Sequence, residues 1–243
     1  MIGTLLNVFA ALFGGTLGLV IGGRLPQRLR TTVVAGMGLF TAVIGIKMFL
    51  KTENPLIVLG ALVLGALLGE WAQIEDRLQS LGGVIERKFA ARRVAGEGPA
   101  GESNFVRGFM VSSLLFCVGP MAILGSIQDG LTGDYQTLAI KSVLDGFAAL
   151  AFATTFGVGV LFSAVPLLVY QGGISLLAGQ LNALLTAPMM TEMSATGGVV
   201  LAGLAFSSLL EIKRIRIGSF LPALAIAPLL VWLVPLVARL VGR

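Results

Sequence analysis

The 243-residue chain contains no histidine, a single cysteine, two tryptophans and two tyrosines. The lack of histidine and near-lack of cysteine remove the ligands of zinc sites, the Cys/His nucleophile pairs and any disulfide framework. Cys117 reads as a small packing residue. Charge is scarce as well. Asp, Glu, Lys and Arg make up only 12% of residues, about half the share of an ordinary soluble domain. No phosphate-binding loop, dinucleotide fingerprint or zinc-protease helix occurs, and no motif joins Ser126 to Lys141 or Asp145 as a nucleophile and base. Enzymatic function is therefore not expected, and nothing calls for a cofactor.

What is present is apolar sequence: 56% of residues are hydrophobic and the mean hydropathy is +0.95. No water-soluble fold covers that much apolar surface. The expectation is an all-α polytopic membrane protein forming a single transmembrane domain over 1–243. The 33 glycines suit close approach of helix backbones in lipid, where small residues permit tight packing. The net charge of +5 is confined to short segments between apolar runs, which encodes topology, not nucleic-acid binding.

Runs long enough to span a bilayer fall at 3–23, 32–50, 55–73, 106–127, 138–160, 164–185, 197–212 and 217–238, each close to the roughly 20 residues a helix needs. Eight spans result, or seven if the weakly divided stretch from Leu138 to Leu185 is read differently. The first run lacks a basic leader and reads as a retained helix. Arg24, Arg28 and Arg30, then Arg77 to Arg107, then Lys213, Arg214 and Arg216 occupy alternate loops. Basic loops stay cytoplasmic, so eight spans place both termini outside.

Ile74, Leu78, Leu81, Ile85 and Phe89 recur at helical spacing among charged residues. This pattern fits either an interfacial amphipathic helix or a solvated extension of helix three. With the AGEGPAGES linker it forms a cytoplasmic segment over 74–104. Two stretches also repeat: AGMGLFTAVIGIK ends at Lys47 and AGLAFSSLLEIK at Lys213, each preceded by a proline, Pro26 or Pro188. Five spans separate the copies, so repeat A (1–73) and repeat B (164–243) would be inverted around a central helix pair (105–163), as in many secondary transporters.

The central pair holds the chemistry. Gly119 and Pro120 lie inside a span, where proline frees carbonyls and kinks or breaks the helix. Lys141 and Asp145 are four residues apart and share a helix face. A carboxylate at that depth by default marks an ion or proton pathway, its counter-charge being Lys141, a bound cation or a proton; the alternative is that both side chains snorkel to the interface. Ser126, Gln128 and Asp129 end the preceding helix and suit a vestibule or a loop. Glu70 beside Trp71, Lys47 and Glu211 read as interfacial. Tyr170, Gln171, Gln180, Asn182 and Asn7 line a passage or, for most of them, bond neighbouring helices. Gly14, Gly18 and Gly22 make two GxxxG steps, a contact surface within the chain or between protomers of a homo-oligomer.

The segments GTLGLVIGGRLP, CVGPMAILGSIQDGL, KSVLDGFAALAFA, VPLLVYQG and IKRIRIGSFLPALAIAPL together resemble the YqgA/YdfK-like family of bacterial inner-membrane proteins, a domain of unknown function, over nearly the whole chain. The resemblance implies a bacterial inner-membrane location and supports Gly119, Pro120, Gln128, Asp129, Lys141, Ser142, Asp145 and Gln171 as site residues. It supplies no substrate and leaves any metal unknown. By analogy alone, LDGFAALAFA is also similar to the acidic helices of small manganese and lysine exporters. The function expected is a secondary transporter of a small cation or polar solute, coupled through Asp145 with Lys141 as internal counter-charge. A passive channel and a non-transporting scaffold or sensor are the alternatives.

Overall fold

In a computed structural model, which describes residues 1–89 and 103–240, every regular element is a helix. The AGEGPAGES linker lies almost wholly outside the described residues. In chain order the helices are α1 (Ile2–Gly22), α2 (Gln27–Phe49), α3 (Pro55–Trp71), α4 (Ile74–Phe89), α5 (Asn104–Val118), α6 (Pro120–Thr132), α7 (Gln136–Phe156), α8 (Gly159–Phe162), α9 (Ala164–Leu176), α10 (Ala178–Leu184), α11 (Ala187–Leu204) and α12 (Ala223–Leu240). A π-helical turn (Ala205–Leu209) extends α11, and a 3₁₀ turn (Ile217–Phe220) precedes α12. Among the described residues six helices are long and apolar enough to cross a bilayer, or up to eight if each of two bent pairs counts as one span. This is a multi-pass membrane protein.

Glycine sets the helix pairing. A Cβ at Gly3 would meet Leu138, at Gly14 the carbonyl of Gly146, and at Gly22 the backbone of Thr154. α1 therefore lies parallel to α7, backbone against backbone, along the GxxxG face. α2 runs antiparallel to α11, where a Cβ on Gly45 or on Gly198 would each approach the other's carbonyl to 2.5 Å. α3 is antiparallel to α12, with Gly65 against Ala223 and Gly69 against Ser219. Gly159 meets Phe105 and Gly130 meets Ser175, which seats α8 and α9 on α5 and α6. The chain turns between α7 and α8 at Gly157, whose φ of 78° is open to glycine but costly for other residues.

Tracing these pairings gives the bundle two ends. Met1, the α2–α3 turn and the α6–α7 turn lie at one; Arg24, Arg28, Arg107, Lys213 and Arg216 lie at the other, the basic end. α4 is a separate helix, bent 55° from α3, and it folds back with Leu78 and Ile85 packed against Phe105, Val106, Phe109 and Met110. The straight extension of helix three is thus not formed. α11 begins at Ala187, ten residues before the apolar run suggests. Pro188 fits its first turn, and the polar residues that hide the span from hydropathy, Glu192 and Thr196, are buried and bonded.

Candidate functional site

Polar side chains form a column that descends from the N-terminal end into the bundle. α1 supplies Thr4 and Asn7 on its buried face, α6 supplies Ser126 and Asp129, α7 supplies Lys141 and Asp145, and α9 supplies Gln171 and Ser175. All eight are buried. At the top, Asp129 accepts hydrogen bonds from the nitrogens of Met1 and Gly3, each at 3.1 Å. One turn deeper, the hydroxyls of Thr4 and Ser175 are 3.5 Å apart, and Ser175 donates to the Ser126 carbonyl at 3.0 Å.

The floor of the column is the charged pair. Lys141 Nζ is bonded to Asp145 Oδ2, and Asn7 Nδ2 donates to the same oxygen at 2.9 Å and to Gln171 Oε1 at 3.3 Å. Asp145 is nine residues into α7, about 14 Å along its axis at 1.5 Å per residue, near the middle of the helix. Neither side chain snorkels: Lys141 is 4% and Asp145 7% exposed. A buried charge pair is tolerated only with close geometry and further hydrogen bonds, which Asn7 supplies. Hydrogen-bonding capacity is left over, since Asn7 Oδ1, Gln171 Nε2 and Ser126 Oγ have no partner among the described residues.

Below the pair the surroundings become largely apolar, with Ser112 on α5 a buried exception. Lys141 Nζ is 5.9 Å from the ring centroid of Phe116, and Phe116, Phe152, Val111 and Leu114 belong to one buried apolar cluster. On its far side, at the basic end, a recess of about 180 Å³ is lined by Arg107, Glu211, Arg214, Ser207 and Ser208 over a base that includes Leu114. Arg107 there bonds Glu211 and the carbonyl of Ser208.

The helix break is real. α5 and α6 meet at 60°, with Gly119 extended at φ −71°, ψ 146° and Pro120 in the first turn of α6. Proline disfavours a helical residue before it, so the break follows from sequence. It places Phe116 and Cys117 at the floor of the column and Ser126 and Asp129 in its wall.

The structure brings together Asp145, Lys141, Gln171 and, higher up, Asp129. Ser142 is adjacent and buried, but its hydroxyl is spent on the Leu138 carbonyl at 2.6 Å. Gln128 is elsewhere: it is exposed and accepts from Thr137 at 2.8 Å. Thr4 and Ser175 escape hydropathy reading, although Thr4 and Asn7 share a face with Ala11, Gly14, Gly18 and Gly22 at three-to-four spacing, and that register points to them. Glu192, also missed, forms a second buried polar centre. It accepts from Thr52 Oγ1 and from the backbone nitrogens of Glu53 and Asn54 at 2.8 and 3.1 Å, tying α11 to the α2–α3 turn. Among the described residues no group of three Cys, Asp or Glu side chains is placed to hold a metal ion.

The family model described as "Protein of unknown function (DUF554)" matches residues 2–232. Uncharacterized protein YqgA of Escherichia coli (strain K12) is 35% identical over 228 residues, which cover 93% of this chain and 94% of that protein. Uncharacterized membrane protein YdfK of Bacillus subtilis (strain 168) is 27% identical over 238 residues, 96% of this chain and 97% of the relative. No solved structure matches. The family resemblance carried by the five sequence segments is borne out.

Proposed function

The chain belongs to the DUF554 family and spans the membrane several times, and from that premise we propose that it is a secondary transporter of a small cation or small polar solute, coupled through the Lys141–Asp145 pair. The observation that carries the proposal is this pair, held at membrane depth beneath a polar column and above an apolar seal. An intramembrane carboxylate marks an ion or proton path by default. A cation or proton that binds Asp145 competes with Lys141 for the same oxygen, so occupancy and the state of the pair are linked. The unspent groups of Asn7, Gln171 and Ser126 offer further contacts to a solute.

An apolar cluster containing Phe116 and Phe152 between the buried column and the basic-end recess suits alternating access and disfavours an open pore. The break at Gly119–Pro120 gives α6 a hinge against α5. The pairings of α2 with α11 and α3 with α12, each antiparallel, are those that two inverted copies of a three-helix unit make, and they support the repeat of 1–73 in 164–243. With its basic loops retained in the cytoplasm, the protein would sit in a bacterial inner membrane with both termini outside.

The test is solute-driven proton movement in proteoliposomes carrying a trapped pH dye, challenged in turn with monovalent cations, divalent cations and small amines. At least one should shift internal pH with the wild type and none with Asp145→Asn or Lys141→Met/Asp145→Asn. Wild-type rates in both variants would remove the mechanism. Wild-type vesicles that move nothing across the panel would favour a scaffold or sensor.

A further inference from the structure

A second cavity, of about 570 Å³, lies beside the polar column; it shares Cys117 with the column's floor, and none of the column's eight polar residues lines it. Its volume is that of a ligand site, for which roughly 300–1,000 Å³ is usual, but its chemistry is the opposite of the column's. Among its walls only Ser113, Cys117 and Tyr170 carry a polar side-chain atom, and the Ser113 hydroxyl is spent on the Phe109 carbonyl at 2.6 Å. An apolar space of this size that stayed empty would forfeit the dispersion contacts of every side chain lining it.

The shape is long. The cleft separates α9 from α12, runs along α5 from Phe109 to Val118 and continues to Ile123, Leu181, Leu185 and Met193; the stretch along α5 alone is about 14 Å at 1.5 Å per residue, close to the depth of one leaflet of a bilayer whose hydrocarbon core is about 30 Å thick. It reaches the lipid-facing surface, since Ala225 in its wall is exposed. It ends at Leu78 of α4, at the basic end. Arg77, next to Leu78 in sequence, is exposed, and Lys213 is exposed in the loop before the 3₁₀ turn at the same end of the bundle.

We propose that this cleft binds one hydrocarbon chain of an anionic phospholipid, which enters sideways between α9 and α12 and leaves its phosphate among the cations at the basic end. Length and apolarity select the chain. Charge selects the headgroup, because basic residues at the ends of transmembrane helices attract anionic lipid. The site is independent of the coupling proposed for Asp145.

A tryptophan reporter tests it. Trp71 and Trp232 are exposed and are first replaced by phenylalanine; Tyr170→Trp and, separately, Leu224→Trp then put the only indole in the cleft. The protein is reconstituted in phosphatidylcholine vesicles containing increasing fractions of phosphatidylglycerol with brominated chains. Quenching of both reporters should saturate at a low fraction of brominated phosphatidylglycerol, and brominated phosphatidylcholine at that fraction should quench far less. Arg77→Gln and Lys213→Gln should each raise the half-saturating fraction roughly five-fold, as expected for the loss of about 1 kcal/mol per cation. Reporters that no brominated chain quenches, or that both lipids quench alike in proportion to their fraction, would overturn the proposal. Cation variants that leave the preference unchanged would overturn its headgroup part.

Discussion

Lys141 and Asp145 show why one residue of a buried pair cannot be changed in isolation. Removing a single partner strands an uncompensated charge and costs about 3–5 kcal/mol, whereas replacing both is often neutral. Lys141→Met should therefore lower the thermal midpoint in detergent sharply, and Asp145→Asn added to it should recover most of the loss. Equal midpoints for wild type and Lys141→Met would mean that the carboxylate is already neutralised by something other than Lys141. Glu192 makes a quieter case. Its carboxylate caps two backbone nitrogens of the α2–α3 turn, and hydrogen bonds to charged groups are worth about 1.5–3 kcal/mol each. Glu192→Gln should cost an amount of that order in thermal stability, and a midpoint no lower than wild type would contradict the role.

The elements are fitted to one another by residues with almost no side chain. At Gly14 a methyl group would overlap the Gly146 carbonyl, while at Gly23 nothing lies within 4 Å of the added atom. Gly14→Ala should force α1 away from α7, break the Asn7–Asp145 contact and lower the yield of monodisperse protein; Gly23→Ala should leave yield unchanged. Similar yields for the two would mean that α1 and α7 do not pack this closely. The same elements show what a sequence can and cannot convey. Spans made of leucine, valine and glycine are legible because hydropathy reports directly on lipid contact. α11 is not, because Glu192 and Thr196 look like loop residues until their partners on other elements are known. The break at Gly119–Pro120 is legible as chemistry, but its angle depends on what α6 packs against. Lys141 and Asp145 can be paired from their spacing alone, whereas Asn7 and Gln171 join them through contacts between residues more than 100 positions apart, which no local pattern contains.

At the scale of the whole molecule, the helix pairings fix which loops share an end, and the distribution of arginine and lysine then orients the bundle. In a Cys117→Ser background, Lys51→Cys at the N-terminal end should react with a membrane-impermeant maleimide in intact cells, and Gln27→Cys at the basic end only after the membrane is opened. The reverse pattern would invert the proposed orientation without disturbing the fold. A buried polar column on one side, a charged recess on the other and an apolar, partly aromatic cluster between them make sense together if the Lys141–Asp145 pair opens and closes during a cycle. Infrared difference spectroscopy of the reconstituted protein, recorded across a jump in pH or in transported solute, measures that event directly. A band of Asp145 that changes with the jump, a carboxylic C=O band where a proton displaces Lys141 or a shifted carboxylate band where a cation does, and that is missing in Asp145→Asn, is the predicted result. A jump that drives flux and leaves both bands of Asp145 unchanged would contradict it.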